Sequence, residues 1–142
     1  MIDRNWPLAL WLKIQEPRIV SVIQFFVYLL ALAAGWAALA KPPRSVEVTA
    51  GQGLTFYWSV MLICGGILGA ITVLPGWWLF ERAATIACLG STVIYGVTIW
   101  SSQVAGSGSG NRIPQLCMVL IVAAHFAKRW FSIRRYAYDP ER

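Results

Sequence analysis

Glu81, Thr85, Cys88, Thr92, Tyr95 and Ser102 recur at steps of three, four and seven residues, so on a helix they share one face. Ile86, Leu89, Val93, Val97 and Trp100 fall on the opposite face. The segment Ala83–Trp100 contains no Asp, Glu, Lys or Arg, and in hydrocarbon a polar stripe turns toward other helices or toward a wet cavity. Two readings follow. The stripe lines a permeation path, with Glu81 as the candidate for a proton-linked role, or it glues helices together through its hydroxyls. The residues alone leave both open.

Few other groups offer chemistry. Glu81 and Arg82 form the only adjacent acid–base pair near the apolar segments. They lie about a turn after Trp77-Trp78, within reach of lipid headgroups, which predicts a structural anchor. His125 stands alone and reads as a hydrogen-bonded packing residue rather than a ligand. Cys64, Cys88 and Cys117 lie in three different apolar segments, without a CxxC or Cys/His spacing, and read as small apolar residues rather than metal ligands or nucleophiles. Phosphate loops, paired catalytic carboxylates and a nucleophile elbow are absent, and the Gly-Ser run at 106–110 lacks the Lys-Ser/Thr of a phosphate site. The expectation is a non-enzyme with no catalytic residue, no metal site and no cofactor.

The elements that position these residues are set by charge. Among 142 residues there are only twelve Lys and Arg and six Asp and Glu, and they leave four long windows uncharged: Ile19–Ala40, Leu54–Leu74, Ala83–Trp100 and Ile113–Ala127. A bilayer core needs roughly 20 mainly apolar residues of helix. The first two windows satisfy that directly, the third with Trp77–Phe80 added, and the fourth if Lys128 and Arg129 lay their stems along the helix and hold their charges among headgroups. With 58% hydrophobic residues, a soluble domain this small has too little core to hide the apolar surface. The fold expected is all-α, an integral membrane four-helix bundle in one domain, with spans at about 19–40, 54–74, 77–100 and 113–130.

Several details refine that plan. Asn5 as a cap, Pro7 in the first turn and the apolar side made by Trp6, Leu8, Trp11 and Leu12 predict an interfacial amphipathic helix over 5–16. Pro42-Pro43 and Gly51 predict a broken loop over Lys41–Gly53. Pro75-Gly76 predicts a tight hairpin between the second and third spans, and Ser101–Asn111 a flexible linker. Gly65, Gly66 and Gly69, with Ala83, Ala87 and Ser91 on the next span, form small-residue faces that let helices approach closely. They serve either this hairpin or contacts between copies. Headgroup anchors are expected at Arg18, Trp77, Trp78, Arg82, Lys128, Arg129, Arg134 and Arg135, the last four in a basic tail over 128–142.

The net charge of +6 sits at the ends of apolar windows rather than on one basic face, which argues for a membrane surface and against nucleic acid. Four spans put Arg4, Lys13, Arg18, Arg82, Lys128, Arg129, Arg134, Arg135 and Arg142 on one side, and Lys41, Arg44 and Arg112 on the other. Nine cations against three place both termini in the cytoplasm.

Trp6-Pro7-Leu8-Ala9-Leu10-Trp11-Leu12-Lys13, Gln15-Glu16-Pro17-Arg18, Pro42-Pro43-Arg44-Ser45, Trp77-Trp78-Leu79-Phe80-Glu81-Arg82 and Gly110-Asn111-Arg112-Ile113-Pro114-Gln115, in this order along nearly the whole chain, resemble the small four-span membrane proteins of phages that infect actinobacteria. The resemblance implies a host inner-membrane location and a holin-like role in lysis, in which copies self-associate and permeabilise the membrane. It carries no residue-level chemistry. The alternative expectation is a non-catalytic partner subunit, in superinfection exclusion or as an accessory to a larger complex. The partners expected are therefore the lipid bilayer and either further copies or another membrane protein. A small multidrug exporter fits poorly, because the first span offers only Ser21 and Gln24 where such transporters carry a buried acid.

Overall fold

The computed structural model describes residues 18–42, 44–106 and 110–136, and side chains within 19–42, 51–106 and 110–133. The expected interfacial helix over 5–16 lies outside the described residues. Four helices follow one another: α1 (Arg18–Ala40), α2 (Arg44–Val73), α3 (Trp78–Val104) and α4 (Ile113–Tyr136). No strand occurs among the described residues.

Each helix contains a stretch long and apolar enough to cross a membrane: Ile19–Ala40, Gly51–Val73, Trp78–Val104 and Ile113–Ile133. Large apolar side chains also cover the outside of the bundle, among them Phe26, Leu30, Trp36, Tyr57, Ile71, Leu79, Val97 and Phe131. In water so continuous an apolar surface would aggregate; in lipid it is the ordinary exterior. The architecture is that of a multi-pass membrane protein.

The helix boundaries correct the sequence reading in three places. The broken loop expected over Lys41–Gly53 is much shorter, because helix resumes at Arg44 and only Gly51 departs from it, at φ 75 and ψ 166. A positive φ excludes most side chains, so glycine marks the kink. The linker expected from Ser101 starts later, since α3 continues to Val104 and ends at Ala105 and Gly106. Residues 128–136 of the expected basic tail are the last turns of α4. The hairpin turn is as tight as Pro75-Gly76 suggests: the N–H groups of Gly76 and Trp77 both donate to the Thr72 carbonyl at 3.1 Å, with Gly76 at φ 73. At the start of α4 the Asn111 side chain accepts from the Ile113 N–H at 3.0 Å, and Gln103 accepts from the Arg112 N–H at 2.8 Å, tying the end of α3 to the start of α4.

The helices pack in sequence order, α1 on α2, α2 on α3 and α3 on α4. The closeness comes from glycine. A methyl group at Gly65 would stand 2.7 Å from the Cys88 sulfur and 3.1 Å from the Ala84 carbonyl on α3. One at Gly66 would stand 2.7 Å from the Leu32 backbone nitrogen on α1, and one at Gly69 would enter the Tyr28 ring. These three glycines therefore serve contacts within the chain. Ala87 and Ser91 join that interface, but Ala83 points outward and the inward position belongs to Ala84, which is fully buried.

The seam between α1 and α4 differs. These helices meet through the ends of side chains, Gln24 on His125 and Tyr28 beside Phe126 with ring centres 6.0 Å apart. Beyond that meeting point the seam opens into a cleft of about 680 Å³.

Candidate functional site

Three pairs of residues, each four apart and so on one helical face, converge at the closed end of this seam: Gln24 and Tyr28 from α1, Glu81 and Thr85 from α3, His125 and Arg129 from α4. Gln24, Tyr28, Glu81 and Thr85 are all at most 2% exposed. Tyr28 and Phe126 seal the cluster on the apolar side, both essentially buried.

Charge lies at its centre. Arg129 reaches a single oxygen of Glu81 with two nitrogens, Nε at 2.7 Å and a terminal nitrogen at 2.6 Å from Oε1. The other carboxylate oxygen, Oε2, is buried with no hydrogen-bond partner. Glu81 is the only acid between Glu47 and Asp139, so the deepest charge of the bundle has one cationic partner and one open acceptor. In a low-dielectric surround neither charge is tolerable without the other.

The neutral bonds have a definite sense. Thr85 donates its only hydroxyl proton to the Glu81 backbone carbonyl at 2.8 Å. The 2.8 Å contact between Tyr28 and Thr85 must then be donated by the tyrosine. Gln24 accepts at Oε1 from His125 Nε2 at 2.9 Å, which places a proton on that ring nitrogen, while the Gln24 amide nitrogen is buried and unpartnered. Polar atoms from three helices thus meet at one junction, and two of them, Glu81 Oε2 and Gln24 Nε2, have unused capacity.

The stripe on α3 divides here. Glu81, Thr85 and Cys88 are packed inside the bundle, and Thr92 and Tyr95 line the cleft. Ser102 is buried farther along α3. The opposite face, with Ile86, Val93, Val97 and Trp100, points outward. Two stripe hydroxyls are occupied within their own helix, Thr85 on the Glu81 carbonyl and Thr92 on the Cys88 carbonyl at 2.7 Å, and Thr98 beside the stripe donates to Ile94 at 2.9 Å. Ser91 donates across to the Trp58 carbonyl on α2 at 2.8 Å. Trp58 stacks on Tyr95 with ring centres 5.0 Å apart, and the Tyr95 hydroxyl accepts from Gln115 of α4 at 2.6 Å.

Two expectations about anchors change. Arg129 is not held among headgroups; it turns inward to Glu81. The pairing expected between sequence neighbours Glu81 and Arg82 gives way to one across helices, and Arg82 instead lies over the Trp130 ring, 4.7 Å from its centre. Lys128 and Trp77 are exposed as headgroup anchors should be, and Trp78 is half-buried. The side chains of Arg18, Arg134 and Arg135 lie outside the described residues. His125, read from sequence as a lone packing residue, is hydrogen-bonded as expected, but its partner is Gln24, a residue that sequence reading set aside. Tyr28 was missed altogether. The available signal was Gln24 and Tyr28 four apart in an otherwise apolar span. The cysteines are free thiols, Cys88 buried and Cys64 and Cys117 exposed, and no group of three potential metal ligands forms among the described residues.

Comparison with protein-family models, with curated proteins and with solved structures finds no match to this chain.

Proposed function

We propose that this chain is a small, non-catalytic, holin-like protein of a bacterial inner membrane, with both termini cytoplasmic, that permeabilises the bilayer by opening along the α1–α4 seam. One observation carries the reading: the Glu81–Arg129 ion pair and the side-chain hydrogen bonds Gln24–His125 and Tyr28–Thr85 are gathered where α1 and α4 hold one another least closely. Gln24, Tyr28, Glu81, Thr85, His125 and Arg129 all border the junction of α1, α3 and α4, and α1 touches α4 there by side-chain ends rather than by backbone approach. Moving α1 outward breaks the Gln24–His125 and Tyr28–Thr85 bonds and turns the α3 stripe toward the gap. In hydrocarbon those groups must then find water or one another. Several open copies facing a common centre would enclose a polar lumen.

A second reading, a membrane partner subunit that stays closed, is favoured by the glycine faces. Gly65, Gly66 and Gly69 are occupied by α3 and α1 of the same chain, which leaves them unused for contacts between copies.

Vesicle leakage separates the two. Protein lacking its native cysteines and carrying Ala34→Cys and Met118→Cys, on α1 and α4 across the cleft, should release dye from vesicles of phosphatidylglycerol and phosphatidylcholine. Joining the two thiols with a short bismaleimide should stop the release. Leakage that persists after bridging refutes the seam mechanism. No leakage from the unbridged protein, together with tolerated expression in bacteria, establishes the subunit reading instead.

A further inference from the structure

We infer that the open half of the α1–α4 seam is a binding site for an acyl chain of an anionic phospholipid, whose phosphate is received by Lys41 at the mouth of the cleft. The volume of about 680 Å³ falls within the range of formed ligand sites. The α1 residues that line it run from Val27 to Lys41, roughly 21 Å at 1.5 Å per residue. The cleft runs lengthwise along α1, as an acyl chain runs along a helix in a leaflet.

The wall has little to offer a polar occupant. Leu30, Ala34 and Ala38 of α1 face Met118 and Val122 of α4 across it. Of the hydroxyls on the floor, Ser91 and Thr92 are already donated to backbone carbonyls, and Tyr95 is engaged by Gln115. The Trp58 indole nitrogen, also in the lining, is already buried without a partner, so an apolar occupant breaks no hydrogen bond there. At the inner end His125 is committed to Gln24, and the rings of Trp58 and Phe126 complete an apolar floor.

The mouth is different in kind. Lys41 lines the cleft, follows the last residue of α1 and is exposed. At the end of an apolar span its ammonium would stand among the headgroups of the leaflet opposite the cytoplasm, and a lysine beside anionic headgroups contributes about 1 kcal/mol. A cation at the rim of an apolar slot selects a ligand with one anionic end and a hydrocarbon tail. The inference concerns the closed bundle and is independent of whether the seam opens.

Native mass spectrometry of the detergent-solubilised full chain, equilibrated with equal phosphatidylglycerol and phosphatidylcholine, reads this directly. One retained phosphatidylglycerol per protein is expected. Ala34→Trp should fill the slot and abolish retention, whereas Ile71→Trp on the outward face of α2 should retain it. Lys41→Glu should lower the preference for phosphatidylglycerol by fivefold or more, the factor that about 1 kcal/mol represents. Circular dichroism establishes that each variant is folded. Equal retention in Ala34→Trp, or an unchanged lipid preference in Lys41→Glu, overturns the site. So does a dimer without bound lipid that Ala34→Trp dissociates, which would make the occupant a second copy.

Discussion

The α2–α3 hairpin and the α1–α4 seam solve the problem of holding helices together in opposite ways. The hairpin uses absence: Gly65 removes a side chain so that Cys88 and the Ala84 carbonyl come within van der Waals reach. The seam uses reach: Gln24, Tyr28, His125 and Arg129 extend long side chains into a gap that the backbones do not close. Close backbone packing gains dispersion over many atoms and offers few alternatives, so it is rigid. A seam held by a handful of polar contacts is strong only while every contact is made, because each broken one leaves a buried group without a partner. The hairpin is the frame, and the seam is the part that the proposed opening would move.

The sharpest way to break this comparison is to remove one charge. Arg129→Met leaves Glu81 buried with neither oxygen partnered, and loss of one member of a buried pair costs about 3–5 kcal/mol. A large fall in thermal stability in detergent, followed by the fluorescence of the eight tryptophans, is expected. The double variant Glu81→Gln with Arg129→Met should recover much of it, since no charge is then stranded. A fall of under about 1 kcal/mol in the single variant, well below the buried-pair range, would mean that water or lipid reaches Glu81 and that the seam is already wet.

At glycines packed against neighbouring helices outside the polar junction the effects should be smaller and of either sign according to what a new methyl meets. Gly66→Ala forces the α1 backbone away, because Leu32 backbone atoms lie at 2.7 and 2.9 Å from the added carbon; overpacking of this kind costs about 1–3 kcal/mol. Gly96→Ala meets only a Val119 methyl at 3.4 Å, an ordinary contact, and should stabilise by about 0.5–1 kcal/mol through backbone entropy. Equal effects at the two glycines would refute close packing as the frame. The same geometry warns against Gly65→Leu as a probe of association between copies, since it disrupts the fold before it reports on a partner.

How much of this was legible in the sequence follows from the range of each signal. The α3 stripe was legible because a single helix carries it, and periodicity is a local property. Glu81 stood out as the one acid in the apolar region, but its partner did not, because Arg129 lies 48 residues away on a helix end that resembles a snorkelling anchor. The small-residue faces were legible in kind and wrong by one residue at Ala83. Positions four apart turn about 400°, so a row of such steps drifts about 40° each time, and by Ser91 the row no longer shares Ala83's direction. Tyr28 and Gln24 were hidden by their surroundings, since two polar residues in a strongly apolar span do not alter its assignment. The cleft was not legible at all. It is a property of the distance between α1 and α4, which no residue type encodes.

Within the seam, the direction of the hydrogen bonds predicts an asymmetry. Tyr28→Phe removes a donor and strands nothing, as Thr85 keeps its bond to the Glu81 carbonyl; a cost of about 0.5–1.5 kcal/mol is expected. Thr85→Val removes the acceptor and leaves the Tyr28 hydroxyl buried and unpaired, which costs about 1–3 kcal/mol. Chemical unfolding of the two variants in one detergent gives the ordering. If Tyr28→Phe is the more damaging, the tyrosine is not the donor.

The smallest effect is expected at Gln24, and its size is informative. Its Oε1 accepts one bond from His125 while its amide nitrogen is buried without a partner. Polar contacts between membrane helices average about 0.6 kcal/mol, and burying an unsatisfied amide group costs at least as much. In Gln24→Met the relief of the stranded amide opposes the loss of this bond and the loss of an acceptor for half-buried His125 Nε2, and stability should change by less than about 1 kcal/mol. The same substitution removes the Gln24–His125 hydrogen bond between α1 and α4, so leakage from vesicles should rise while unfolding is little changed. A variant that loses stability without gaining leakage would show that Gln24 belongs to the rigid frame after all, and that the boundary between frame and seam lies closer to Lys41.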